Sequence, residues 1–256
     1  MIPRNVFQTF RSTNLPPRLE RNAQEHRERN PGWHYQLFDD RQAEDFASSF
    51  DHRIGEAYRR INPAYGAARA DLLRHLLIYK FGGVYLDIKS ELSRPLDEVL
   101  KPDDSYILTQ WQNGKGAVHE GFGMHHDLAN VPGGEFQNYH VIAEASHPFT
   151  KAAIDRIVSN ILAYRPWSAV GRTGVLRTTG PIAYTLAIHP ILETAPHRQT
   201  TEAEIGASIS ITDYDHAGTF PNHYSGRSDP VVLLGSGGAA LSRAFAKVRK
   251  WKASVR

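Results

Sequence analysis

Ala67-Ala68-Arg69-Ala70-Asp71-Leu72-Leu73-Arg74 leads, eight residues on, into Gly82-Gly83-Val84-Tyr85-Leu86-Asp87-Ile88-Lys89. Ala68, Leu72, Leu76 and Tyr79 recur at helical spacing, which predicts a helix over Ala67–Lys80 with that stripe buried. Gly82 stands where the helix needs a C-terminal cap, because glycine reaches positive φ without a Cβ clash. Beyond it Val84, Leu86 and Ile88 alternate with Tyr85, Asp87 and Lys89, the period of a short buried strand. If pairing continues that far, Tyr85, Asp87 and Lys89 emerge on one side near the strand's carboxyl end, where open α/β sheets gather their ligands. Asp71 and Arg74 are three apart and share a helix face. Two carboxylates and a guanidinium converging on one spot suit a phosphorylated, hydroxyl-rich ligand. The competing reading is an intrahelical ion pair on a solvated face, worth about a few tenths of a kcal/mol, with Asp87 merely ending a strand.

Working outward, strands and helices alternate. Strands are expected at Asn5–Phe10, Trp33–Phe38 and Ser105–Thr109, with short ones at Ile209–Thr212 and Val231–Leu234. Helices are expected at Arg18–Arg29 behind Leu15-Pro16-Pro17, at Arg41–Phe50 capped by Asp39 or Asp40, and just before Asn62-Pro63. Two more follow at Pro148–Tyr164 and from Gly180-Pro181 to Ile188, while the glycine-rich Gln112–Gly134 reads as a long loop over a site. The order implies an α/β domain with a mostly parallel sheet flanked by helices. Composition agrees: 256 residues at 41% hydrophobic content can bury a sizeable core. No cysteine is present, so disulfide and thiolate chemistry are excluded. No apolar run approaches a membrane span, and Met1-Ile2-Pro3-Arg4 opens no signal peptide, so a soluble cytoplasmic protein is expected. A net charge of +3 is too mild to argue for nucleic acid.

Ile2-Pro3-Arg4-Asn5-Val6-Phe7-Gln8-Thr9-Phe10, Asn30-Pro31-Gly32-Trp33, the Ala-Asp-Leu-Leu-Arg helix and the Gly-Gly-Val-Tyr-Leu-Asp strand together resemble the glycosyltransferases with a DXD sugar-binding region. These are the family 32, Och1-like enzymes, distantly similar to the glucosylating clostridial toxins. The likeness is strong from residue 2 to about 100, thinner through Glu135-Phe136-Gln137-Asn138 and Thr178-Thr179-Gly180-Pro181, and fades after about residue 225. It implies a single GT-A-type, Rossmann-like domain with a nucleotide-sugar-binding part over about 1–110, an acceptor-side part over about 111–235 and a basic tail at 246–256. It also implies retaining transfer of a hexose from a UDP- or GDP-sugar to a saccharide or lipid-linked saccharide, as in surface or capsular polysaccharide synthesis. Carried over by position, Asp71 and Arg74 hold the donor's sugar hydroxyls and phosphates, and Tyr85 lines the same pocket. Asp87 meets the ribose or the metal-bound diphosphate, and Phe7, Gln8 and Thr9 lie near the nucleotide. These roles fit the chemistry, since hydroxyls want carboxylate acceptors and a diphosphate wants a guanidinium or a metal ion.

One position departs from the pattern. The second Asp of the DXD motif, normally the Mn²⁺ or Mg²⁺ ligand, is Lys89 here. Either Lys89 neutralises the departing diphosphate without a metal, or Asp87 with Glu91, Asn222 or His223 still holds an ion; a plain solvated edge lysine is the third reading. Asp71, Arg74, Asp87 and Lys89 are thus the catalytic candidates, with Asp87 and His223 for a metal. No catalytic base is visible. A turnover-less nucleotide-sugar or carbohydrate binder and a nucleotide-sugar hydrolase are the alternatives. Gln137, Asn138, Thr179 and Gly180 are acceptor-side candidates by their amides and hydroxyls, with capping and loop packing as the competing explanation. His223-Tyr224 is expected to close over the diphosphate. His119-Glu120, His125-His126, His140 and His147 lack a zinc spacing such as His-Glu-X-X-His and read as loop or surface residues. The basic end, with Lys247, Arg249, Lys250, Lys252 and Arg256 beside Phe245, Val248 and Trp251, is either a frayed tail or a peripheral contact with an anionic membrane.

Overall fold

The structure, a computed structural model, describes residues 1–210 and 224–254, with side chains described as far as residue 248. In chain order the elements are β1 (Asn5–Thr9), α1 (Pro17–Arg29), β2 (His34–Phe38), α2 (Asp40–Phe50), α3 (His52–Arg60), α4 (Gly66–Phe81), β3 (Gly83–Leu86), β4 (Glu91–Leu92), α5 (Leu96–Val99) and β5 (Tyr106–Thr109). They continue with β6 (His140–Ala143), α6 (Pro148–Leu162), α7 (Gly171–Thr178), α8 (Pro181–Ile188), β7 (Arg198–Thr200), α9 (Glu202–Ile205), β8 (Ala207–Ser208) and a C-terminal helix, α10 (Ser236–Ser254).

Local chemistry explains the boundaries. Pro17 opens α1 with its fixed φ where an N–H is not needed. Asp39 and Gln42 form a reciprocal capping box on α2, the Gln42 N–H reaching Asp39 Oδ1 at 2.8 Å. Gly82 ends α4 at φ +63°, and Gly83 follows at φ +112°, where a Cβ would lie 2.5 Å from the Asn5 carbonyl oxygen. The glycine pair therefore lets β3 press against β1 directly after the helix.

The six-stranded sheet has the order β2-β1-β3-β6-β5-β7, and β6 alone runs antiparallel to the rest. Side chains alternate across it. Phe7, Tyr85, Tyr106, Leu108 and Val141 face the core shared with α2, α3, α4, α6 and α8, while Val6, Val84, Leu86, Ile107 and Ile142 face a smaller core with Leu92, Leu96 and Ile205. With apolar packing on both faces, α4 is buried around most of its circumference: Leu73 and Leu77 are covered as fully as the expected Ala68, Leu72 and Leu76. Each buried leucine there is worth about 1.5–3 kcal/mol.

The α/β class and the sheet-and-helix alternation are as the sequence implies. Differences are local. β3 stops at Leu86, and Asp87 to Ser90 form a turn closed by the Ser90 N–H on the Asp87 carbonyl at 2.8 Å, so Lys89 does not continue the strand's alternation. Ile209 and Ser210 lie in a bend, with Ile211 and Thr212 outside the described residues. Val232 makes only a single bridge to Ile61. Residues 246–254 belong to α10 and are not a separate tail. The strands β6 and β7 and the helix α7 were not foreseen, being three to eight residues long with no periodicity of their own.

Candidate functional site

α4 and the end of β3 bring Asp71, Arg74, Tyr85 and Asp87 together. Arg74, 2% exposed, donates from Nη2 to Asp87 Oδ1 at 2.9 Å and lies 3.1 Å from Asp71 Oδ1. Its Nη1 donates to the Asn138 carbonyl, its Nε to the Ala70 carbonyl at 3.3 Å, and its guanidinium sits 4.9 Å from the Tyr85 ring centre. Asp71, 5% exposed, accepts from the Thr179 hydroxyl at 2.8 Å on Oδ2 and from Asn138 Nδ2 at 3.4 Å on Oδ1. The solvated-face ion pair is thereby excluded. Burial pushes the Asp71 carboxyl up to about 6 against the pull of Arg74 and Thr179. Burial also opposes the Arg74 charge, but Asp87 and Asp71 outweigh it and hold the guanidinium above its usual range. Tyr85 is pushed well up by burial and by Asp87, so its hydroxyl stays protonated and donates to Asp87 Oδ1 at 3.3 Å.

Asp87 differs from the others. A quarter of its side chain is exposed, and Oδ2 has no hydrogen bond to a described residue. Its backbone is held on both sides: the N–H donates to the Tyr139 carbonyl at 2.8 Å, and its carbonyl accepts from Gln8 Nε2 at 3.3 Å. Half-buried Lys89, two residues on, makes no hydrogen bond or ion pair with a described residue.

The other sequence candidates divide. Gln8 is fully buried and fixed between the Asp87 carbonyl and Tyr35, whose hydroxyl donates to Gln8 Oε1 at 2.6 Å. Phe7 packs in the core against Phe38 and Phe81, and the Thr9 hydroxyl donates to the Phe38 carbonyl at 2.9 Å. Asn138 and Thr179 are spent on Asp71 and Arg74, and Gly180 is the residue before α8. Gln137 Nε2 donates to Glu202 Oε2 at 2.8 Å. Glu91 lies on β4 opposite Ser208, and Asn222 and His223 lie outside the described residues. Tyr224 is described; burial and the nearby Asp71 and Asp87 push its hydroxyl up to about 12.

Sequence reasoning missed two supports. Asn22 and His26, polar residues of α1, face inward with Leu19 and Ala23. Asn22 Nδ2 donates to the Ile88 and Ser90 carbonyls at 3.1 and 2.9 Å, and His26 Nε2 lies 3.1 Å from the Ser90 carbonyl, so α1 props the Asp87–Ser90 turn. The signal was positional: residues 19, 22, 23 and 26 share a helix face, but two are polar. Glu202 is the second support. It gathers His119 Nε2 at 2.6 Å, Gln137 and the Tyr139 hydroxyl at 3.1 Å, pinning the 112–134 loop beside the strand that holds Asp87. His125 pairs with Glu135 at 2.8 Å, whereas His140 and His147 are buried and not on the surface.

Among the described residues no three histidine or acid side chains stand close enough to hold a metal ion. Asp87 Oδ1 already faces a guanidinium and a phenol, and an ammonium occupies the second acid's position. Asp87 Oδ2 is the open carboxylate oxygen of this cluster, and Asn222 and His223, the other candidates for a Mn²⁺ or Mg²⁺ ion, lie outside the described residues, so the described residues supply no complete metal site.

Residues 16–110, which hold the helix, the turn and Asp87, match the family described as "Glycosyltransferase sugar-binding region containing DXD motif". This stretch is similar to DXD-type glycosyltransferase regions. The chain is similar to curated fungal proteins: the mannosyl phosphorylinositol ceramide synthase CSH1 of Saccharomyces cerevisiae is 26% identical over 101 residues, covering 40% of this chain and 26% of that one. The inositol phosphoceramide mannosyltransferase 1 of Schizosaccharomyces pombe is 27% identical over 107 residues, covering 39% and 31%. The initiation-specific alpha-1,6-mannosyltransferase of Candida albicans is 25% identical over 123 residues, covering 46% and 31%. The matched stretch thus spans about a quarter to a third of the length of these relatives. Among solved structures, the PaToxG glycosyltransferase superposes with a TM-score of 0.51 at 15% identity, covering 75% of this chain and 70% of that one. The DXD-type region therefore sits in a GT-A-type fold.

Proposed function

We propose that the protein is a retaining glycosyltransferase that moves a hexose from a nucleotide-diphosphate sugar to a saccharide or lipid-linked saccharide. One observation carries the reading: Asp87 keeps an open carboxylate oxygen at the end of β3 while Arg74 and Tyr85 are held on its other oxygen. In this reading Asp87 Oδ2 accepts a hydroxyl of the donor. Asp71 and Arg74 are positioning residues, because their polar atoms are committed to each other, Asn138 and Thr179. This departs from the expectation that Arg74 grips phosphate directly.

Breaking the bond between a sugar and a diphosphate puts negative charge on the leaving oxygens. Asp71, Arg74 and Asp87 sum to one negative charge, which repels a diphosphate. Lys89 on the adjoining turn cancels it, and preorganised charge of this kind is the main lever for such a step. The leaving phosphate takes the acceptor's proton in the front-face route that retention without a nucleophile requires. The donor nucleotide, UDP or GDP, and a role in polysaccharide synthesis are parts of the proposal. The same Lys89 favours, as a second reading, a binder that has lost turnover.

Calorimetric titration with UDP- and GDP-hexoses, with and without Mn²⁺, followed by product analysis, separates transfer, hydrolysis and binding. Asp87→Asn keeps the shape but loses the charged acceptor and should lower turnover about 10- to 100-fold. Lys89→Met should lower it about 100-fold or more with donor affinity less affected. Wild-type turnover in Asp87→Asn would end this assignment; donor binding without product in the wild type would leave the binder.

A further inference from the structure

α10 carries its apolar stripe on the wrong side for a helix packed onto a protein. Leu241, Phe245 and Val248 follow the i, i+4, i+7 spacing of a single face, and they are 46%, 39% and 50% exposed. The helix meets the body through a different face: Ser242 is buried, and the small side chains of Ala239 and Ala246 are half-buried on the same side. An amphipathic helix in a folded domain normally turns its stripe inward. Here the stripe points out and is extended by exposed Trp167, whose ring centre lies 6.4 Å from that of Phe245.

Charge completes the pattern. Over Ser236–Ser254 the sequence holds Arg243, Lys247, Arg249, Lys250 and Lys252 and no acid. Arg243 and Lys247 sit one turn apart on the exposed side, on the helix face away from the apolar stripe. Nineteen residues make a helix about 28 Å long. No helix among the described residues is long and apolar enough to cross a membrane. An exposed apolar stripe on one face and cations on the polar face, on a helix too polar to span, is the signature of an element that lies in the plane of a lipid interface.

We propose that α10 docks the protein flat on an anionic lipid surface, with Leu241, Phe245, Val248 and Trp167 entering the interface and the positive charge of the helix supplying the attraction to the anionic headgroups. Charge selects this occupant over a second copy of the chain, since two such helices face to face would set ten cations against each other with no acid between them. The inference stands apart from the proposed transfer reaction, because none of these residues touches the Asp87 cluster.

The test is co-sedimentation of the full chain with vesicles of phosphatidylcholine alone and of phosphatidylcholine with about one third phosphatidylglycerol. Binding is expected to the second and not the first, and to fall with added salt. Arg243→Gln with Lys247→Gln should weaken it about 25-fold, at about fivefold per cation. Leu241→Gln with Phe245→Gln should weaken it at least about tenfold. All four positions are exposed, so circular dichroism and nucleotide-sugar binding in solution should be unchanged in both variants. Absence of binding to anionic vesicles, or binding that neither variant alters, overturns the proposal. A concentration-dependent dimer that the apolar variant disperses, without vesicle binding, overturns it in favour of self-association.

Discussion

Replacing Arg74 by methionine isolates what the buried cluster contributes. The substitution keeps the length and apolar bulk of the stem and removes the guanidinium. It breaks the contacts to Asp71 at 3.1 Å and Asp87 at 2.9 Å and the donation to the Asn138 carbonyl. Asp87 is a quarter exposed and can recruit water, so its loss is small. Asp71 cannot: it stays buried with only Thr179 and Asn138 to satisfy it. Removing one partner of such a pair costs about 3–5 kcal/mol, a large part of a typical domain's stability. The loss should also depend on pH. Burial already lifts Asp71 to about 6, and without the cation it rises further, well above the unfolded value of about 3.9. The variant's native state then binds more protons than its unfolded state through that window, so its stability falls as pH rises. Urea unfolding followed by circular dichroism should show the deficit against wild type growing from about pH 5 to pH 8. Adding Asp71→Asn should recover part of it at the higher pH. A loss under about 1 kcal/mol, or one that is flat across that range, would refute the claim that a buried ion pair organises the site.

Three further outcomes follow from the same geometry. Thr179→Val removes the 2.8 Å donor to Asp71 and should cost about 1–3 kcal/mol by denaturation, with more of the loss at neutral than at acid pH. Gly83→Ala forces a Cβ to within 2.5 Å of the Asn5 carbonyl at a φ of +112°, and a melting curve should show about 1–3 kcal/mol of lost stability; an unchanged curve would mean that β1 and β3 are not this close. His26 is lowered to about 4, chiefly by burial, so its native state binds fewer protons than the unfolded chain between pH 6.5 and 4. Its contribution is whole above pH 6.5 and about 3 kcal/mol is lost on acidification to about 4. His26→Gln, which can still reach the Ser90 carbonyl, should flatten acid unfolding over that interval.

Chain-local physics made the helix Gly66–Phe81, the glycine pair, the strand behind it and the alternation of strands and helices readable from the sequence. Periodicity, capping and the φ preference of glycine act within a few residues, and they were enough to set Asp71, Arg74 and Asp87 near one another. What each of them does depended on partners far along the chain. Asp71 is held by Thr179, 108 residues away, and Arg74 by Asn138, 64 away, so that only Asp87 is left with a free oxygen. No spacing rule reaches that far. The turn that re-aims Lys89 depends on Asn22 and His26, whose polar side chains hid an inward-facing stripe. The strand β6 is too short to announce itself and is defined by its neighbours β3 and β5. Which groups could meet is a matter of local backbone geometry and is written in the residue order. Which of their atoms remain available is settled by packing, because hydrogen-bond capacity is used up by residues that meet across the fold.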